Sequence, residues 1–160
     1  MARRGRATHR RFNGWQILFN EPFTTAYGDL SASLNPKEFK QHPDIKLFSA
    51  LYKVIYEVVP GDPNHPDFRL DGQLRKFRRV KGRGLPARFR LFFIFMESTK
   101  TIVFLYMNDR RSLRKAGDPR DPYGKFSRLV QQGVIGSDFE ENYRIWGQGP
   151  LGPGEPYAGT

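Results

Sequence analysis

Eight lysines and arginines and no acid lie between Asp71 and Glu97, within the stretch RKFRRVKGRGLPARFRLFFIFMESTKTIVFLYMND at residues 75–109. Cationic groups at this density make a positive field that nothing nearby in the sequence neutralises, and a folded chain has to put them on a surface. Two chemistries suit such a surface. Arginines and lysines pair with phosphates, Arg through bidentate hydrogen bonds, and give a salt-dependent affinity that carries little sequence information. The same groups can stabilise the charge that builds on phosphorus and its oxygens when a 2'-hydroxyl attacks the adjacent phosphodiester, a reaction that needs no metal. The first chemistry describes an RNA-binding module and the second an endoribonuclease. Charge and periodicity leave both open.

Other chemistries are poorly provided for. The chain has no cysteine, which removes disulfides, thiolate metal sites and cysteine nucleophiles. Its three histidines, His9, His42 and His65, are dispersed and lack metal-ligand spacing, so no metal and no cofactor is expected. A net charge of +11 and a pI near 10.2 favour an anionic partner, with nucleic acid ahead of an anionic membrane surface or an acidic protein. There is no apolar run long enough for a membrane span and no secretory signal, so no membrane association and a cytoplasmic location are expected.

The elements that must position the cations follow from periodicity. A chain of 160 residues is expected to form one domain, of α+β class. From Arg88 the sequence alternates with period two, which places Phe89, Leu91, Phe93 and Phe95 on one face of a strand and Arg88, Arg90, Phe92, Ile94 and Met96 on the other. The expected sheet is antiparallel, with strands at 76–81, 88–96 and 100–108, one face packed on helices and the other open and basic near the start of the second strand. The run at 102–107 is apolar throughout, as in a central strand. Residues 13–19 suggest a short first strand. Helices are predicted at 21–34, with Pro22 in its first turn, and at 43–59, stopped by Pro60 and Gly61. A further helix is expected after Asp121 as cap and Pro122 as first residue, ending at Gly133, with Tyr123, Phe126 and Val130 on one side. The loop at 61–68 is turn chemistry, and His65 reads as a loop residue in preference to a general base. Residues 1–11 form a basic arm, 12–146 the domain, and 147–160 a Gly/Pro-rich tail.

Five segments, NGW at 13–15, DPNHPDFR at 62–69, RFRLFF at 88–93, MND at 107–109 and LRKAGDPRDPYGKF at 113–126, resemble in order and spacing the YhaV-type toxins of the RelE-like superfamily. The resemblance covers roughly residues 13–139. It implies a RelE-like α+β domain, with an N-terminal helical pair on one face of a curved antiparallel sheet and a C-terminal helix. It also implies a type II toxin: a ribonuclease that cleaves mRNA, free or ribosome-bound, and is silenced by an antitoxin of the PrlF type. Such toxins replace the usual histidine pair with Lys, Arg and Tyr. On that basis Arg79, Lys81, Arg88, Arg90 and Tyr123 are the expected catalytic residues. Arg75, Lys76, Arg78, Arg83, Asn108 and Arg114 are the expected RNA contacts. Tryptophans associated with the basic strand and with the position before Met-Asn-Asp appear here as Phe77 and Tyr106, aromatic changes that bear on base stacking more than on fold. The alternative is a non-catalytic RNA-binding or ribosome-associated protein.

Overall fold

Strand β4 (Thr101–Met107) is buried at every position, and the other elements are arranged to cover it in a computed structural model that describes residues 11–32, 45–108 and 121–146. The sheet order is β1-β4-β3-β2, with β1 at Gln16–Phe19, β2 at Arg78–Val80 and β3 at Leu91–Met96. The three strands of the basic stretch pair antiparallel, as expected, and β3 returns to β4 through a tight turn in which Lys100 takes a positive φ of 53°. The first strand departs from expectation: β1 runs parallel to β4, with Gln16 opposite Thr101 and Phe19 opposite Phe104, so the sheet is mixed. A parallel neighbour needs a long connection, and the helices and strands between β1 and β4 supply one.

One irregularity decides how the faces are built. Phe92 pairs with Tyr106 while the next residue, Phe93, pairs with Phe104, which leaves Leu105 as a bulge in β4. Strict alternation would put Phe104 and Tyr106 on the same face. With the bulge, Phe104 packs with Phe19, Phe23 and Phe93, while Tyr106 packs with Phe92 and Phe126 on the other side.

Helix α1 (Glu21–Ser31) lies on the Phe104 side, burying Phe23, Ala26 and Leu30, with Pro22 in its first turn. Helix α2 (Ile45–Lys53) joins this layer through Phe48, whose ring meets Tyr27 edge-on at 5.2 Å. It continues through a π-helical segment, Val54–Val58, into one last turn, α3 (Val59–Gly61). The widening precedes Pro60, whose ring would collide with the carbonyl four residues back in an α-helix and which has no N–H to donate. The Asn13 side chain then donates to the Pro60 carbonyl at 2.8 Å, closing the helix end.

The second face is where expectation needs correcting. It is not open along its length: α4 (Pro122–Gln131) crosses it, stacking Phe126 on Phe92 at 4.2 Å and nearly parallel, with Phe77 edge-on at 5.0 Å. The ends of α4 follow the sequence reading, since the Asp121 carboxylate accepts from the Gly124 N–H and Gly133 has φ +79°. A helix that the sequence reading omitted, α5 (Phe139–Trp146), is fixed by a buried polar node. Asn142 Oδ1 accepts from Asn20 Nδ2 and from the Gly136 N–H, each at 2.8 Å, and its Nδ2 donates to the Gly136 and Asp138 carbonyls. Gly136 has no room for a side chain, since a Cβ there would fall 2.7 Å from that of Glu141. Helix α1 ends at Ser31, earlier than position 34, and β3 begins at Leu91 in place of position 88. The proposed tail at 147–160, and all but Arg11 of the basic arm, lie outside the described residues. Among the described residues no helix is long and apolar enough to cross a membrane.

Candidate active site

Where α4 starts, the basic end of the sheet begins. Phe92 lies under Tyr123, the second residue of α4, with ring centroids 5.6 Å apart. Two residues before Phe92, Arg90 reaches the same place: its Nε donates to the Tyr123 hydroxyl at 3.0 Å and its guanidinium carbon sits 5.8 Å from the Tyr123 ring centre. Arg90 Nη1 donates to the carbonyls of Ala87 and Phe89, so three elements of the head group's fork are fixed and Nη2 has no partner among the described residues. Across the sheet, Arg79 pairs with Phe92 and shares its face, and Val80 pairs with Leu91. The pairing stops there, and the exposed Lys81 follows directly after β2. Arg90 and Tyr123 are thus in direct contact, and Arg79 shares their face of the sheet by register.

The backbone before β3 is held by a side chain that continues the ladder where the strand stops. Asn108, fully buried, accepts from the Arg90 N–H through Oδ1 at 2.8 Å and donates through Nδ2 to the Arg88 carbonyl at 3.2 Å. Asn108, expected as an RNA contact, is thus a buried residue with both ends of its amide engaged by backbone. Arg88 also differs from the sequence reading. It belongs to a turn closed by the Phe89 N–H on the Pro86 carbonyl, and so stands outside the period-two alternation, with an exposed side chain.

The remaining cations divide between two environments. Arg78 faces the opposite side from Arg79, over the Phe95 ring at 5.3 Å, with Nη2 donating to Asn64 Oδ1 and Nη1 bonded to the carbonyls of Arg75 and Phe77. Burial, with a smaller effect of the Arg69 charge, lowers its pKa from the ordinary value. It is packed against the core on the face away from Arg79. Arg83 takes φ +57° in the turn after β2, pairs with Asp67 at 3.3 Å and covers the Phe68 ring. Arg79 Nη1 donates to the carbonyl of the same Asp67. Asp67 thus organises two of the cations, a role the sequence reading missed although its loop was singled out. His65 is a loop residue as expected, its Nδ1 accepting from the Asp67 N–H. Arg75 is exposed with Nη1 on the Gly72 carbonyl, and Lys76 is exposed. Arg114 lies outside the described residues. Among the described residues no group of three or more His, Cys, Asp or Glu side chains gathers as a metal site would require.

This arrangement can bind phosphate through an arginine whose Nη2, without a partner among the described residues, is aimed by its other bonds, beside a phenol whose lone pair is already engaged. The chain is similar to toxins described as nucleases. The profile of a family described as a toxin with endonuclease activity, of toxin-antitoxin system, matches residues 19–144. The chain is 32% identical over 143 residues to the Ribonuclease toxin YhaV of Escherichia coli strain K12, covering 82% of this chain and 91% of that protein, and equally to Toxin YhaV of Escherichia coli O157:H7. Among solved structures, the toxin-antitoxin complex RelBE2 from Mycobacterium tuberculosis shows a TM-score of 0.43 at 14% identity, over 60% of this chain and 91% of that one. The intact Escherichia coli RelBE complex gives 0.38 at 14% identity, over 59% of this chain and 95% of that one.

Proposed function

The chain belongs to the YhaV family of toxin-antitoxin endonucleases, and from that premise we propose that it cleaves mRNA, without a metal, by attack of the ribose 2'-hydroxyl on the adjacent phosphodiester. The new bond joins O2' to phosphorus and the P–O5' bond breaks. The 2'-hydroxyl proton passes to water, the leaving O5' takes one from the Tyr123 hydroxyl, which water reprotonates, and the products are a 2',3'-cyclic phosphate and a 5'-hydroxyl. Because the first nucleophile is internal to the RNA, no metal-bound water is called for.

The observation that carries this reading is the Arg90–Tyr123 pair. Arg90 Nη2 points its N–H groups at a non-bridging oxygen, where charge grows in the transition state. The Tyr123 hydroxyl accepts from Arg90 Nε, which directs its own proton outward, toward the oxygen that leaves. Arg79, Lys81 and Arg88 seat the flanking phosphates and hold the scissile bond in line. The partner is an antitoxin of the PrlF type, whose acidic segment covers this end of the sheet. Electrostatic pairing speeds its capture, while apolar contacts keep it bound.

The test is cleavage of mRNA, free and ribosome-bound, with EDTA present, by the parent and by Arg90→Ala, Tyr123→Phe, Lys81→Ala and Arg79→Ala. The expected result is cutting that survives chelation and leaves 2',3'-cyclic or 3'-phosphate ends, with Tyr123→Phe slowing cleavage more than it weakens RNA binding. Cutting that requires a metal and leaves 5'-phosphates overturns the mechanism. Undiminished cutting by all four variants overturns the site.

A further inference from the structure

Asn108 is buried, touches no solvent, and makes both of its side-chain hydrogen bonds to the backbone on either side of Phe89. We propose that Asn108 is a positioning residue of the reaction: it sets the backbone from which Arg90 projects, and acts on catalysis only through Arg90. The inference rests on the assignment of Arg90 to the reacting phosphate.

Three features of the geometry support it. First, the β3–β4 ladder ends at Leu91 opposite Met107. The next position has no strand pairing of its own, yet the Asn108 amide supplies both a donor and an acceptor there. Second, only an amide side chain offers both at this spacing, since a carboxylate cannot donate to the Arg88 carbonyl and a hydroxyl is too short to span both groups. Third, the Arg90 guanidinium leans on the same short segment, through its bonds to the Ala87 and Phe89 carbonyls. A shift of that segment therefore moves the donor that faces the phosphate. Displacements on the order of 1 Å at a reacting group can cost about a hundredfold in rate.

A double-mutant cycle separates positioning from general structural support. Asn108→Ala, Asn108→Asp and Arg90→Ala are compared singly, and each Asn108 variant is combined with Arg90→Ala, on an RNA oligonucleotide under single-turnover conditions below the melting temperature of the weakest variant. The near-isosteric Asn108→Asp keeps the acceptor for the Arg90 N–H and loses the donor to Arg88, so it reports on the clamp even if Asn108→Ala folds poorly. The expected result is a fall in cleavage rate of about tenfold to a hundredfold for the Asn108 variants, RNA affinity within about twofold of the parent, and no further fall in the Arg90→Ala background. An equal fall in both backgrounds would show a merely structural role and overturn the proposal, as would parental rates in folded Asn108 variants while Arg90→Ala is impaired. If Arg90→Ala itself cleaves like the parent, the site assignment fails first and this inference fails with it.

Discussion

Arg78 and Arg79 are neighbours in sequence and occupy opposite faces of β2. Arg78 lies over Phe95 with its guanidinium bonded to Asn64 and two carbonyls, so its removal should act on stability. We expect Arg78→Ala to cost about 1–3 kcal/mol in urea unfolding and to leave cleavage near the parental rate. Arg79→Ala should do the reverse, and matched effects in the two variants would contradict the division of faces. Period-two spacing in the sequence was enough to separate the two arginines. It could not say which of the two is held against the core, because that depends on Phe95 lying beneath Arg78. Asn108 was legible as the end of a strand, but its burial was not, since an Asn after an apolar run reads equally well as a solvent-facing turn. At Tyr27, burial raises the phenol pKa above its ordinary 10.0, so the fold favours the neutral form. Stability should be unaffected below about pH 10 and fall above it, as the unfolded chain loses that proton first. Unfolding midpoints at pH 9 and 11 should converge in Tyr27→Phe, and an unchanged gap would refute the assignment.

Helix α4 joins the core to the site, with Phe126 stacked on Phe92 and Tyr123 bonded to Arg90. Phe126→Ala should therefore cost about 3–5 kcal/mol and reduce cleavage even under conditions where the variant remains folded, because Tyr123 loses its seat. Retained activity in the folded variant would show that Tyr123 is held from elsewhere. This helix was legible because cap, first-turn proline and terminal glycine all fall where local chemistry wants them. Helix α5 was not, because the centre of its buried face is Asn142 and a search for apolar periodicity passes over it. Asn142→Leu fills similar space but deprives Asn20 and the backbone of Gly136 and Asp138 of their partners. It should destabilise by about 3 kcal/mol or more, from several stranded polar groups at about 1–3 kcal/mol each, and a neutral result by thermal melting would show that the node is dispensable. The bulge at Leu105 was equally hidden, since the run at 102–107 is apolar at every step and carries no period to betray a change of face.

Taken as a whole molecule, a net charge of +11 describes affinity for polyanions but does not say where they bind. The fold makes the distribution testable, because cations that reach RNA release counterions and those packed on the core do not. Arg79→Ala and Lys81→Ala should each reduce the slope of log affinity against log salt by about 0.7 for single-stranded RNA, and Arg78→Ala should leave it unchanged. Equal slopes for all three variants would mean that the basic end of the sheet is not the RNA surface. The parallel pairing of β1 with β4 has a further consequence, in the order of synthesis. Gln16 must find Thr101, 85 residues later. At about 5–20 residues per second, β1 leaves the ribosome and waits roughly 4–17 seconds for its neighbour. Tyr123 comes later still, so the Arg90–Tyr123 pair cannot assemble until most of the chain has been made. A nascent chain that has not yet reached Tyr123 lacks the Arg90–Tyr123 pair on which the proposed cleavage depends.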